Sequence, residues 1–160
     1  MKNLTKIIRR AIFISLSLFS LLTGCVNQNE ALKRVDLDEN TIAVFSEDYE
    51  LFFPLSEDKS IERFTPSNQE VYQAIEILQD SLKDENQIKD LNMYKSQFFG
   101  YLNKKGEKML WVNYFCDGNA YHTDWKTDVV FVFDGGNCYF NVKLNLRTDE
   151  VFDLRVNGSA

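Results

Sequence analysis

The spacing of apolar residues divides the chain into one helical segment and a series of extended ones. Between Thr65 and Asp84 they fall at Val71, Ala74, Ile75, Leu78 and Leu82, the i, i+3, i+4, i+7, i+11 pattern of a single helical stripe. Gln73, Glu76, Asp80 and Lys83 take the other faces. Thr65-Pro66-Ser67-Asn68-Gln69-Glu70 marks the start. Proline suits a first turn, where its missing N–H costs nothing, and Ser67 and Glu70 have capping-box spacing. A helix over about 67–84 is expected.

The period then changes to two. Tyr94 to Leu102 and Lys108 to Cys116 flank Asn103-Lys104-Lys105-Gly106-Glu107, a glycine-containing hairpin turn. Asp117 to Lys126 reads as a polar loop. Val129 to Phe133 and Cys138 to Leu146 flank Asp134-Gly135-Gly136-Asn137, a strong turn signal because glycine accepts positive φ. Arg147-Thr148-Asp149 turns the chain into Val151 to Val156. Cys138, Phe140, Val142, Leu144 and Leu146 alternate with Tyr139, Asn141, Lys143 and Asn145, and Phe152, Leu154 and Val156 alternate with Asp153 and Arg155. One face is therefore buried and one wet. Before the helix, Ile42, Val44, Phe45 and then Leu51, Phe52, Phe53 read as extended runs, ended by Pro54; 55–64 is a charged loop. The expected fold is α+β: one amphipathic helix packed on a roughly five-stranded antiparallel meander.

This element order, over about residues 65–160, is similar to cystatin-like helix-on-sheet folds. Cystatins that inhibit cysteine proteases carry a Gln-x-Val-x-Gly hairpin. Gln97-Phe98-Phe99-Gly100 departs from that pattern and lies inside an expected strand, so the resemblance does not bring the inhibitory activity with it.

Met1 to Arg10 carries Lys2, Lys6, Arg9 and Arg10 and no acid; Ala11 to Leu22 is apolar apart from three serines. These are the basic and apolar regions of an export signal. The run has 12 positions, against roughly 20 for a membrane-spanning helix. Leu22-Thr23-Gly24-Cys25 follows, and it resembles the lipobox of bacterial lipoproteins. The resemblance implies cleavage between Gly24 and Cys25, with diacylglycerol on the Cys25 thiol and usually an acyl group on its amine. Two or more acyl chains anchor a protein stably to a bilayer. Val26, in place of the aspartate that retains some lipoproteins in the inner membrane, favours the outer membrane. The expected organisation is a signal peptide at 1–24, a lipidated cysteine and polar tether at 25–40, and one domain at 41–160. Fifteen flexible tether residues reach roughly 20 Å.

Removing the leader takes four of the 18 Lys and Arg and leaves 14 against 24 acids, so the net charge changes from −6 to −10. With no basic patch, that charge argues against nucleic-acid binding. It also keeps the domain off anionic lipid except through its anchor. Cys116 and Cys138 remain. Two cysteines in an oxidising compartment suggest a disulfide. The meander opposes it: Cys116 ends its second strand and Cys138 begins its fourth, at opposite ends of the sheet, whereas bridged Cα atoms lie within about 7 Å. Two free, largely buried thiols are expected.

Candidate chemistry is sparse. Cys116, His122 and Asp124 supply the residue types of a cysteine nucleophile with its base and orienting group. They lie within nine residues, where side chains rarely converge, and a surface histidine beside a core-edge cysteine is the simpler reading. Asp117, His122 and Asp124 offer three potential metal ligands, but one histidine without a Cys-x-x-Cys makes a weak transition-metal signal. The acidic stretches lack a calcium-loop pattern, and no phosphate-binding glycine motif occurs. No catalytic residue, metal or cofactor is expected. Phe, Tyr and Trp make up 14% of the chain and fall on both faces of the first two hairpin strands, which fits either a sheet buried on both sides or a binding surface. Tyr121, His122 and Trp125 in the polar loop are the expected surface anchors. Three functions stay open. The favoured one is an envelope lipoprotein binding a protein or glycan without catalysis; the others are an inhibitor or immunity-type lipoprotein against an exported hydrolase or toxin, and a small hydrolase.

Overall fold

A computed structural model of the chain describes residues 36–50, 61–116 and 122–158, all within the unit Arg34–Ala160. Cys25 with its lipobox, the extended run 51–53 and Tyr121 lie outside the described residues.

The helix α1 spans Asn68–Leu82, and its capping box is complete. Glu70 N–H donates to Ser67 Oγ (3.3 Å), while the Ser67 backbone N–H and hydroxyl both donate to Glu70 Oε2 (2.9 Å each). Pro66 precedes the cap instead of entering the first turn. Val71, Ala74, Leu78 and Leu82 bury the predicted stripe, Ile75 packing at its margin.

The described strands are β1 (Ile42–Phe45), β2 (Arg63–Phe64), β3 (Tyr94–Leu102), β4 (Lys108–Cys116), β5 (Tyr139–Asn145) and β6 (Glu150–Val156). They form one open mixed sheet in the order β1-β3-β4-β5-β6, with β2 also on the β3 edge. The fold class is α+β as expected, and β3 to β6 form an antiparallel meander of four strands instead of five. Two features were not expected. Strand β1 runs parallel to β3, with Ile42 opposite Ser96 and Phe45 opposite Phe99; a parallel pair needs a long crossover, and the stretch containing α1 provides it. Beyond β1, β2 takes the rest of that edge, with Phe64 opposite Gly100. Glycine is needed there, because a Cβ on Gly100 would stand 2.4 Å from the Phe64 carbonyl oxygen.

Both faces of the sheet are covered. On one, α1 packs over Tyr94, Phe98, Leu110, Val112, Tyr114, Phe140, Val142 and Leu144. On the other, Phe45, Phe99, Tyr101, Met109, Trp111 and Phe115 form a second core with Trp125 and Val130. This double burial accounts for the aromatics on both faces of β3 and β4. The end of the expected tether also docks: Leu37 packs against the first core, and Tyr72 Oη donates to the Asp36 carbonyl (3.1 Å).

The second core corrects the expected strand at Val129–Phe133. That segment joins no ladder; it crosses the sheet as a third layer. Its backbone bonds to side chains projecting from the sheet. Gln97 Nε2 donates to the carbonyls of Trp125 (2.6 Å) and Asp128 (2.8 Å), and Gln97 Oε1 accepts from Val130 N–H (2.9 Å). Asn113 Nδ2 donates to the Val130 carbonyl (2.7 Å) and to Gln97 Oε1 (2.9 Å). Gln97 is fully buried and Asn113 nearly so.

In β6 the expected alternation breaks at a bulge. Asn141 faces Arg155 and Lys143 faces Phe152, so Asp153 and Leu154 together oppose Val142. Asp153 takes φ 53°, in the left-handed region. The extra residue separates Phe152 from Leu154: Val151, Leu154 and Val156 pack on the helix-side core, while Phe152 is 36% exposed. Lys143 (2.7 Å) and Arg155 (2.8 Å) hold the Asp153 carboxylate.

Replacing Gln97 with leucine removes two donors and one acceptor from buried backbone groups. At about 1–3 kcal/mol for each buried group left unpaired, Gln97→Leu is expected to lower unfolding free energy by more than about 3 kcal/mol in urea denaturation. A second expectation concerns acid. Burial works against the charge on Glu70 and Asp153, but Lys108 and Ser67 at the first, and Lys143 and Arg155 at the second, outweigh it and hold both carboxyls below their ordinary range. A carboxyl lowered by folding contributes stability that is present above its unfolded pKa and lost as pH falls through the folded value. Stability is therefore expected to decline below about pH 4, with a shallower slope in the Glu70→Gln, Asp153→Asn double variant, read by denaturant titration across pH.

Candidate binding surface

The described stretch 122–137, between the ends of β4 and β5, is attached to the rest of the fold at several separate points. Because the 129–133 segment lies above the sheet, β4 and β5 are direct neighbours, with Phe115 opposite Tyr139. The next pair along is Cys116 and Cys138. They form a disulfide with a Cα–Cα distance of 4.9 Å, closing a 22-residue separation. The expectation of two free thiols is thus overturned: it placed a strand between β4 and β5 that the sheet does not contain.

Polar side chains hold the loop above that bridge. Besides the Gln97 and Asn113 bonds, Val129 N–H donates to Tyr49 Oη (3.2 Å), and Asn157 Nδ2 donates to the carbonyls of Val132 (2.5 Å) and Asp134 (3.0 Å). Gly136 N–H donates to the Gly158 carbonyl (2.9 Å), and Tyr94 Oη donates to that of Asn137 (2.6 Å). Gly135 and Gly136, at φ 94° and 59°, make the turn into β5, as their sequence signal predicts.

The proposed anchors sit differently from one another. Trp125 is 7% exposed, its ring against Phe115 at 5.7 Å with Lys95 Nζ over it at 5.2 Å. It packs in the second core and does not project, because Gln97 draws its carbonyl down to the sheet. His122 is half-buried; its Nε2 lies 3.1 Å from Tyr139 Oη and its ring meets Phe115 edge-on. The sulfur of Cys116 is bonded to Cys138, so the Cys116–His122–Asp124 arrangement has no thiol nucleophile in this structure. Among the described residues no group of three or more His, Cys, Asp or Glu side chains is placed to hold a metal.

The residues that do project were read as part of a sheet strand. Val130 and Val132 point towards the second core, and between and beyond them Phe131 and Phe133 turn outward, 47% and 86% exposed. Their rings meet edge to face, with centroids 4.9 Å apart and an interplanar angle of 87°. Asp124, Asp128 and Asp134 are exposed along the same loop, with Lys126. The alternation of 129–133 signalled the outward pair, but only an assumed neighbouring strand assigned those side chains to a sheet.

No protein-family model, curated protein or solved structure matches the chain. A cleft of about 620 Å³ beside the start of α1 is lined by charged groups that bind one another. Glu70 pairs with Lys108 (2.6 Å), and Glu107 accepts from Asn103 and Asn145 (2.8 Å each) and pairs with Arg147. Asn103 and Asn145 lead the interactions that lower the Glu107 carboxyl's pKa. The loop is therefore the stronger candidate: it presents exposed aromatic area rimmed by the exposed Asp124, Asp128 and Asp134.

The bridge gives a direct chemical expectation. In the denatured chain without reductant, Cys116 and Cys138 are expected to resist maleimide, and Cys116→Ser to release one reactive thiol at Cys138. Loss of a loop closure of this length is expected to cost about 3 kcal/mol in unfolding free energy.

Proposed function

We propose that the chain is a bacterial envelope lipoprotein, held in the membrane by acylated Cys25, whose domain binds a protein partner without catalysis. The outer membrane is the favoured location. The recognition element is the stretch 131–133. The observation that carries this reading is the pairing of strong anchoring with strong exposure: Val130, Val132 and Asp134 are tied down at their backbones, while Phe131 and Phe133 stand out between them. Aromatic side chains on a rigid frame supply contact area at little cost in ordering. The acids along the loop and the mature charge of −10 favour a partner with an apolar pocket rimmed by lysine and arginine.

That same acidity favours, as a second reading, an inhibitor or immunity-type role against a basic exported protein. The two share a surface and differ in whether binding silences an activity.

In cells of the source bacterium, a photo-crosslinking residue at 131 or 133 is expected to give a protein adduct, and one at Glu76 on the exposed side of α1 to give none. Phe131→Ser with Phe133→Ser is expected to remove binding of the captured partner while changing stability by less than about 1 kcal/mol, as surface positions do. Cys25→Ser is expected to move the chain out of the membrane fraction. Adducts from the helix alone would sink the loop assignment, and substrate turnover abolished by His122→Ala would sink the non-catalytic reading.

A further inference from the structure

A cation stands beside the disulfide. Lys89 Nζ lies 3.5 Å from Cys116 Sγ and 3.4 Å from Cys138 Sγ. The Lys89 main chain is held beside the bridge: its N–H donates to Tyr94 Oη (3.0 Å), and that hydroxyl donates to the Asn137 carbonyl (2.6 Å), one residue before Cys138. Ile88, its neighbour, is buried in the helix-side core. Both cysteines are half-buried, so the bridge is not sealed beneath the fold.

A disulfide sulfur is a weak, neutral acceptor and gains little from an ammonium. A thiolate gains a full opposite charge. Lys89 therefore favours the cleaved state over the bridged one. Cysteines beside lysine have pKa values lowered from about 8.5, and a lower-pKa thiol leaves faster in exchange. Stabilising the reduced form also makes a disulfide a stronger oxidant.

We propose that Cys116–Cys138 is a site of thiol–disulfide exchange with a dithiol reductant, and that Lys89 is the positioning residue that stabilises the departing thiolate. One thiolate of the reductant attacks either sulfur. A mixed disulfide forms, the Cys116–Cys138 bond breaks, and its electron pair leaves on the other sulfur, within 3.5 Å of Lys89 Nζ in either case. The second thiolate of the reductant then attacks its own sulfur in the mixed disulfide and expels the remaining cysteine. The protein gains two electrons and two protons, and the dithiol becomes a cyclic disulfide. The covalent tie between the ends of β4 and β5 is lost, while the Gln97 and Asn113 bonds to the 125–130 segment are not themselves cleaved.

The probe is dithiothreitol in mixtures with its oxidised form at pH 7, applied to the full chain, with Cys116 and Cys138 followed individually by alkylation and mass. Lys89→Met is expected to lower the equilibrium constant for reduction about tenfold, about 30 mV, and to slow reduction comparably. Lys89→Arg, which keeps the charge, is expected to behave like the parent. A methionine variant reduced as readily as the parent would overturn the proposal, as would an arginine variant that matches methionine. A measurement on the parent alone adds an independent check. Alkylation of the reduced pair with a midpoint below the ordinary thiol value of about 8.5 supports the proposal, and a midpoint at or above it overturns the assigned role of Lys89.

Discussion

The outer half of this domain depends on two amides that imitate a missing β-strand. A sheet with large aromatics on both faces needs cover on both. Helix α1 covers one face by ordinary amphipathic packing. Over the other lies a segment with no ladder of its own, whose buried backbone groups would be costly if unpaired. Gln97 and Asn113 meet that need from the sheet below, offering donors and acceptors much as a neighbouring strand would. This arrangement places Trp125 and Val130 over Phe99, Trp111 and Phe115 and leaves β4 paired directly with β5.

What could be read from the sequence follows how local each determinant is. The capping box of Ser67 and Glu70, the stripe from Val71 to Leu82 and the turn at Gly106 involve residues close in sequence, and helix and hairpin form where their patterns lie. Partner choice is not local. Alternation at 129–133 shows that Val130 and Val132 point one way and Phe131 and Phe133 the other, but not whether the backbone bonds to a strand or to Gln97. One wrong partner then propagates: a strand inserted between β4 and β5 moves Cys116 away from Cys138 and turns a disulfide into two free thiols. The Asp153 bulge is a second non-local event. Period-two counting joins Phe152 to Leu154, and only the extra residue opposite Val142 parts them. A glutamine and an asparagine at sheet-interior positions of otherwise apolar, aromatic strands were the available signal for the third layer, since buried amides require partners.

Of the three expected surface anchors, Trp125 lies in the second core, His122 is half-buried, and Tyr121 lies outside the described residues. Tryptophan in a polar stretch looks like an anchor because such stretches are normally exposed. Here Asp124, Lys126 and Asp128 face water, while Trp125 among them fills the core beneath and its carbonyl is held by Gln97. The exposed aromatics belong instead to the apolar run, where an exposed phenylalanine costs solubility and is not required by the fold. Phe131 and Phe133 could each be polar without loss of the second core, since Val130 and Val132 make the inward contacts.

A rigid projecting pair and a bridge beside a lysine place opposite demands on one loop. Binding through Phe131 and Phe133 gains from every attachment that holds the backbone in place, because less ordering remains to be done on association. A reducible tie at the loop's base works the other way, since opening it restores freedom to 22 residues' separation of chain. The attachments divide accordingly. The amides hold the middle of the segment, Asn157 holds its end, and the disulfide holds the join to β4 and β5. Cleavage at the base would therefore loosen the loop's frame more than the residues directly beneath the aromatic pair, so the effect of reduction on binding would be graded, depending on how much of the partner's contact extends from 131–133 towards Cys138.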